Sequence, residues 1–482
     1  MTDAENPNLP LERVPTGISG LDTILHGGLL KGGMYIIMGH PGAGKTILGN
    51  QMCFHHVRSG GRAIYVTLLA ESHSRMFGHL DSLEFFSREF LSRELSYVSG
   101  YNALEKDGPD GLLKLLRQIV QAGNIDLLVL DGLVSAQNMA RSELHFKKFV
   151  HELNVFTNML GCTTLLLTST DPGQPLHPEH TMVDGILSLQ QHTTGMRAYR
   201  SLEVMKFRGS GSLRGRHTFD ITPRGLTVHP RLESIGKKRR SQPGLRRDKV
   251  PFGLTELDKM LGGGIPANSL SMILGGPGTG KTTLGLQFLV TGAMNDERCL
   301  FFGFYETPQK LLLKSQVVGL PMDDHIDSKL FIEWHPPLEA DIDEMAHQLL
   351  DAVDRHDIKR VYLDGLGGFQ QASVDPERMG RFFTALTNEL RHRDCTTLFS
   401  VESKQMFGLD PYIPTSGVSA IAENIILLLA TQPEDRILRQ LSILKVREST
   451  HDITIRDFEI SSQGIKISST PSKAKYASEE RE

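Results

Sequence analysis

The chain has 482 residues, of which 39% are hydrophobic and 22% charged, and its formal net charge is −4. This length exceeds what one hydrophobic core usually organises, so two domains are expected, and the composition excludes a fibre or a disordered chain. No run of 18 apolar residues occurs and no basic stretch leads into an apolar one at the start, so no membrane association is expected and the cytoplasm is the expected location.

Residues 1–10 are polar and expected to be loose, with a first domain over 11–229. Residues 34–38 read as a buried strand. They lead into Gly39-His40-Pro41-Gly42-Ala43-Gly44-Lys45-Thr46, which spells G-x-x-x-x-G-K-[ST], the phosphate-binding P-loop. Its glycines let successive backbone N–H groups turn inward around phosphate oxygens. Lys45 supplies a point charge to the outer phosphates, and Thr46 offers a hydroxyl to Mg²⁺. A bulky residue at Gly42 or Gly44 is expected to block that wrap. An apolar-periodic helix follows, then a β-branched, aromatic strand over 63–69 that ends at Ala70-Glu71. Asp110 reads as the N-cap of a helix carrying Leu112, Leu113, Leu116, Ile119 and Val120, stopped by Gly123. The next strand, 127–130, ends in Asp131. A strand at 163–168 and short strands at 185–190, 200–206 and 217–221 complete the half, the last three implying hairpins at one sheet edge. Residues 230–249, with Lys237-Lys238-Arg239-Arg240 and Arg246-Arg247 about a Pro243-Gly244 turn, read as a solvated basic linker.

A shift of 236 positions (281 − 45) repeats the pattern. Gly275-Gly276-Pro277-Gly278-Thr279-Gly280-Lys281-Thr282 is a second complete P-loop after a strand at 270–274, and Val14-Pro15, Gly17, Leu21-Asp22 and Gly27-Gly28 fall on Val250-Pro251, Gly253, Leu257-Asp258 and Gly263-Gly264. The chain is therefore an internal duplication, its second domain expected over 250–468 and a disordered tail over 469–482. In the second half a strand at 300–304 ends at Tyr305-Glu306, Asp341 and Glu344 form a capping box, and the strand 361–363 ends in Asp364. Asp131 and Asp364 recur 233 positions apart. Each follows the Walker B pattern, a carboxylate at the end of a buried strand that joins the P-loop Thr in holding Mg²⁺. A strand at 396–401 and later ones at 424–430, 439–445 and 454–460 match the first half. Each half thus reads as a mostly parallel α/β sheet flanked by helices with terminal hairpins, binding ligands at the strands' carboxyl ends. Cys53, Cys162, Cys299 and Cys395 are too scattered for metal-binding spacing and read as buried structural thiols.

Hydrolysis needs a group that orients or deprotonates water beside the γ-phosphate, and Glu71 and Glu306, each at a strand end near a P-loop, are the general-base candidates. The alternative is an acid at a helix start, because Ser72 and Thr307 follow. Lys206 with Arg208, and Lys445 with Arg447, lie at alternate strand positions and so share a face, with Phe207 and Val446 turned inward. Two cations side by side with no nearby acid make sense if an anion sits between them.

With these features placed, the chain resembles the KaiC family of double-domain RecA-like ATPases over nearly all of 11–468. Thr16 to Asp22, Gly27-Gly28, the matching Gly253 to Gly264, Tyr305-Glu306-Thr307-Pro308 and Lys206-Phe207-Arg208-Gly209 carry the resemblance. It implies tandem RecA-like domains that bind ATP and Mg²⁺ and form rings, usually homohexamers, with ATP between neighbouring subunits. It also implies slow hydrolysis, autokinase activity in the second domain, and a signalling protein as partner. The cation pairs would then reach a neighbour's nucleotide. Four departures stand out. The family's two adjacent glutamates read Ala70-Glu71 and Tyr305-Glu306 here. Its adjacent Ser-Thr phosphoacceptors become Ser419-Ala420, which leaves Ser419 as the candidate. Glu448 replaces the glycine that Gly209 retains, and the tail after Ser469 is shorter than the clock protein's partner-binding tail.

Two further readings compete with a regulatory ATPase. A DNA-binding recombinase or helicase motor would use surface loops around 141–148 and 404–416, but these lack basic-aromatic interleaving and the net charge is negative, so nucleic acid is not the expected partner. A nucleotide-gated scaffold with little catalysis is suggested by the missing glutamates.

Overall fold

A computed structural model describes residues 11–68, 73–169, 181–235, 248–338, 340–403, 421–432, 437–447 and 449–472. The chain divides into two units, 1–234 and 235–482. Each holds a nine-stranded, mixed sheet flanked by helices, the tandem RecA-like α/β architecture expected from the repeat.

In the first unit β1 (Met34–Gly39) leads through the P-loop to α1 (Lys45–Arg58). Then come β2 (Ala63–Thr67), α2 (His73–Leu80), β3 (Leu95–Ser99), α3 (Tyr101–Gly123), β4 (Leu127–Asp131), α4 (Glu143–Met159) and β5 (Thr163–Ser169). The unit closes with β6 (Gly185–Thr194), β7 (Arg197–Phe207), β8 (Arg216–Thr222) and β9 (Gly225–His229). The sheet order is β9-β8-β7-β6-β1-β5-β4-β2-β3. The six strands from β6 to β3 run parallel, and β6 to β9 are joined antiparallel.

The period of two along each strand splits the core between the sheet's faces. Met34, Ile36, Ile64, Val66, Leu128 and Leu130 pack with residues of α3 and α4 such as Leu112, Leu116, Phe149 and Leu153. The alternate positions Tyr65, Val129 and Leu167 face α1 at Gly49, where an added Cβ would meet all three at 3.2–3.4 Å. Burying such a side chain contributes about 1.5–3 kcal/mol, so both helix layers are held by the strands that carry the site.

The second unit repeats this with β10 (Leu270–Gly275), α5 (Lys281–Met294), β11 (Cys299–Gly303), α6 (Pro308–Val317), β12 (Leu330–Trp334), α7 (Ile342–His356), β13 (Arg360–Asp364), α8 (Met379–His392) and β14 (Thr396–Glu402). It ends in β15 (Asn424–Thr431), β16 (Leu438–Val446), β17 (Arg456–Ser461) and β18 (Gly464–Pro471). The order is β12-β11-β13-β14-β10-β15-β16-β17-β18. As the capping box predicts, Asp341 accepts from the backbone N–H groups of Asp343 and Glu344 at 2.9 and 3.3 Å.

Two local expectations are corrected. The helix containing Asp110 begins earlier, at Tyr101, and breaks at Gly108 (φ 66°, ψ −156°). Pro109 restarts it, because its fixed φ suits a first helical position, and Asp110 pairs with His145 at 3.2 Å. The stretch 141–148 is not a loop: Ser142 caps α4 and accepts from the His145 N–H. Its lysines pair with acids one turn along, Lys147 with Glu143 at 2.6 Å and Lys148 with Glu152 at 3.7 Å. All four cysteines are buried, and burial pushes the thiols of Cys162, Cys299 and Cys395 up to about 12. Among the described residues no helix is long and apolar enough to cross a membrane.

Candidate nucleotide sites

Both P-loops sit where the sheet topology opens, at the carboxyl ends of β1 and β10, each with a parallel neighbour on either side. Gly44 and Gly280 take φ of 100° and 102° as they turn the loop into the helix. A Cβ there would meet Ile221 Cδ1 or Ile460 Cδ1 at 2.7 Å. Gly42 and Gly278 also have positive φ, 81° and 71°, but face open space, so Gly42 is required by its backbone conformation rather than by crowding in the fold. Lys45 Nζ donates to the Gly39 and His40 carbonyls at 2.7 and 2.9 Å, and Lys281 Nζ to Gly275 and Gly276 at 2.9 and 2.8 Å. Each ammonium is thus fixed over its own loop by two of its three donors. Burial draws both below the usual lysine range, with nearby carboxylates acting in the opposite sense. Thr279 closes its loop by donating to the Gly276 carbonyl at 2.8 Å, and Ala43 occupies the equivalent buried position.

The structure brings each P-loop threonine to its strand-end acid. Thr46 Oγ1 donates to Asp131 Oδ2 and Thr282 Oγ1 to Asp364 Oδ2, both at 3.0 Å. The surrounding hydroxyls differ. Asp131 Oδ2 also accepts from Tyr65 OH at 2.7 Å, whereas Asp364 Oδ1 accepts from Tyr362 OH at 2.8 Å and Ser400 Oγ at 2.9 Å. Burial raises the Asp131 carboxyl above its usual range, only partly offset by Tyr65, Thr46 and Lys45. A buried carboxylate beside a hydroxyl is a hard oxygen donor set suited to Mg²⁺, whose charge would relieve the desolvation.

In the second unit these groups border a cleft of about 930 Å³, lined among others by Lys281, Thr282, Tyr305, Glu306, Asp364 and Glu402. Glu306 does project into it. Thr307, not Glu306, caps α6, its side chain accepting from the Lys310 N–H, so the helix-start alternative does not apply to Glu306. The Glu306 carboxylate accepts from Lys314 Nζ at 2.5 Å. Sequence reasoning missed Lys314, Arg439 and Glu402. Arg439 Nε donates to the Gly278 carbonyl at 3.2 Å. Glu402 Oε2 lies 3.8 Å from Lys281 Nζ. The rule that found Asp131 and Asp364, an acid ending an apolar strand, would have found Glu402 had the strand not been stopped at Val401. No spacing rule pairs Glu306 with a residue eight positions later across a helix start. Glu71 and Ser419 lie outside the described residues, as do 404–416 and Glu448.

The cation pairs lie elsewhere, at the amino ends of the parallel strands. Lys206 is level with Ile186 of β6, whereas the P-loop residue Gly39 is level with Leu189, three residues or roughly 10 Å further along. Both strands carry a bulge just before the lysine, at Ile186/Leu187 in one unit and Ile425/Ile426 in the other. A bulge re-aims the following side chains. Lys445 Nζ donates to the Ala422 carbonyl at 2.7 Å. The expectation that no acid is near is corrected. Asp184 and Glu423 act on Lys206 and Lys445, but each is also held by the strand start, Asp184 accepting from Met34 N and Glu423 from Leu270 N, both at 2.9 Å.

A sequence profile of the KaiC ATPase family matches residues 14–233 and 250–472. The circadian clock oscillator protein KaiC of Synechococcus elongatus is 26% identical over 486 residues, covering 97% of this chain and 92% of that protein. KaiC of a Picosynechococcus species is 24% identical over 473 residues, covering 95% and 90%. The circadian clock protein KaiC3 of a Synechocystis species is 24% identical over 482 residues, covering 97% and 93%.

Proposed function

The chain belongs to the KaiC ATPase family, and we propose that it is a regulatory ATPase that binds Mg·ATP in both domains, hydrolyses it, and assembles into a homo-oligomeric ring, a hexamer as the family resemblance implies. The observation that carries this reading is the duplicated constellation of P-loop lysine, P-loop threonine and strand-end aspartate, each Thr–Asp pair closed at 3.0 Å. In it Lys45 and Lys281 hold the outer phosphates of the substrate, and Thr46 with Asp131, and Thr282 with Asp364, hold Mg²⁺. Bound there, Mg²⁺ would neutralise charge on the phosphates.

The finer assignments belong to the same proposal. The ATPase domains span 11–229 and 250–468, joined by 230–249. Water is oriented in the first domain by Glu71 and in the second by acids of the cleft, Glu306 among them. ATP lies between subunits, where Lys206 and Arg208, and Lys445 and Arg447, meet a neighbour's nucleotide. The second domain phosphorylates Ser419, and the cytoplasmic ring signals to a protein partner, a reading supported by the circadian clock proteins among the chain's relatives.

The test is native mass measurement with and without Mg·ATP, coupled to equilibrium dialysis and a hydrolysis assay. Two nucleotides per chain, one lost in Lys45→Ala and one in Lys281→Ala, together with an ATP-dependent ring, are expected. One nucleotide per wild-type chain would show that one of the two sites is misassigned, and binding without turnover would favour a scaffold.

A further inference from the structure

We propose that Glu402 is a catalytic carboxylate of the second domain, orienting the attacking water there, and that the first domain presents a serine, Ser169, at the matching strand position. This rests on the ATPase reading above and names a residue that neither the repeat nor the expected strand-end pattern assigned.

The position follows from sheet order. β14 runs between the P-loop strand β10 and the Asp364-bearing strand β13, so its carboxyl end opens on both the phosphate loop and the metal-binding acid. Glu402 is in register with Gly275, the first residue of the P-loop. Its direction follows from the strand's period of two. Ser400, two residues earlier, donates to Asp364 Oδ1 at 2.9 Å, which places that face toward the cleft, and Glu402 lines the same cleft. Its carboxylate lies 3.8 Å from the Lys281 ammonium, the group that meets the outer phosphates of ATP.

The other candidates in this cleft are less suited to take a proton. Glu306 already accepts from Lys314 Nζ at 2.5 Å. Tyr305 stands where the family resemblance places its first glutamate. Burial, with Glu402 and Asp364 adding to it, raises its phenol above the usual range, so at neutral pH it keeps its proton and does not serve as a base. In the first domain the strand position level with Gly39 is Ser169, a hydroxyl rather than a carboxylate, and Leu167 stands where Ser400 does. The duplicated domains therefore present different groups at the same strand end.

In the step assigned to Glu402, the water oxygen forms a bond to the γ-phosphorus while the bond from that phosphorus to the β–γ bridging oxygen breaks. The proton of the water passes to the Glu402 carboxylate and is later released to solvent, and the products are ADP and inorganic phosphate.

The experiment uses the full chain carrying Lys45→Ala, so that turnover reports the second domain alone, and adds Glu402→Gln, Glu402→Asp or Glu306→Gln. Steady-state hydrolysis is measured beside Mg·ATP affinity by equilibrium dialysis. A positioned base contributes a factor of about 10²–10⁴, so Glu402→Gln is expected to lower kcat on that scale with affinity retained, and Glu402→Asp to recover part of the loss. Parental kcat in Glu402→Gln overturns the proposal, most directly if Glu306→Gln alone removes turnover. So does tighter ATP binding at unchanged kcat, which would make Glu402 a competitor for Lys281. These failures leave the ATPase reading standing. A Lys45→Ala parent that binds no nucleotide would overturn both.

Discussion

Lys206 and Arg208 share one acceptor: Lys206 Nζ and Arg208 Nη2 both donate to the Thr181 carbonyl, at 3.1 and 3.0 Å. Burial draws the Lys206 ammonium below its usual range, and the Arg208 charge adds to the effect against Asp184. Two cations gathered on one neutral oxygen, at the end of the sheet opposite their own P-loop, are an arrangement that a neighbour's phosphate would stabilise. An arginine supplied to a phosphoryl-transfer site from outside can contribute about 10³–10⁵ in rate.

The pair is expected to act in trans. Chains carrying Lys281→Ala with Lys45→Ala still offer Lys206 and Arg208, whereas chains carrying Lys281→Ala with Arg208→Ala still bind ATP in the first domain. Mixed at ring-forming concentration, these two weakly active variants should regain part of the first domain's turnover. No recovery in rings verified by mass to be mixed would refute the assignment.

Substitutions at the P-loop glycines should separate backbone strain from crowding. A left-handed conformation costs a residue with a Cβ about 1–2 kcal/mol, and crowding adds about 1–3 kcal/mol. Gly44→Ala and Gly280→Ala incur both, each Cβ lying 2.7 Å from an isoleucine methyl, and Gly42→Ala incurs only the first. Denaturant melts without nucleotide should therefore rank Gly42→Ala as the mildest of the three. Equal losses at Gly42 and Gly44 would mean that the isoleucine yields freely.

The first domain should be stabilised by neutralising Asp131. Its carboxyl is raised above the usual value, mainly by burial, so the folded domain holds this proton more tightly than the unfolded chain does. The stability contributed is full below the unfolded pKa of about 3.9 and is lost as pH rises through the folded value. At pH 7 the ionised carboxylate is a net cost. Asp131→Asn is expected to raise the nucleotide-free melting temperature at pH 7 by a few degrees, the scale of ~1 kcal/mol in a domain of this size. The gain should shrink toward pH 4, and Mg·ATP should no longer protect. A variant that melts lower than the parent at pH 7 would contradict this.

Autophosphorylation, if the second domain performs it, is expected at Ser419. A phosphate there would add about −1.5 to −2 charges. Incubation with labelled ATP followed by peptide mass spectrometry should place the label on Ser419 and lose it in Ser419→Ala. Label on Thr415, or none, would remove the assignment.

Much of this was legible in the chain because the decisive features are local. A P-loop needs its glycines, lysine and threonine within eight consecutive positions, and an acid closing a buried strand is marked by the apolar run before it. Their recurrence after 236 positions for the P-loops and 233 for the acids (364 − 131) established two domains of one kind. The amphipathic spacing of Leu112, Leu116 and Val120 likewise identified a buried helix face. What depends on distance along the chain was not legible. Lys314 reaching Glu306, Arg439 reaching the Gly278 carbonyl and Glu402 standing beside Lys281 join residues 8, 161 and 121 positions apart (314 − 306, 439 − 278, 402 − 281), and no periodicity records such pairs. The sequence by itself determined the duplicated phosphate loops and their acids, because backbone conformation and strand period act over a few residues. Only the tertiary structure decided that the two sites differ, because the order of parallel strands, set by how helices cover the sheet, is what brings Glu402 to one P-loop and Ser169 to the other.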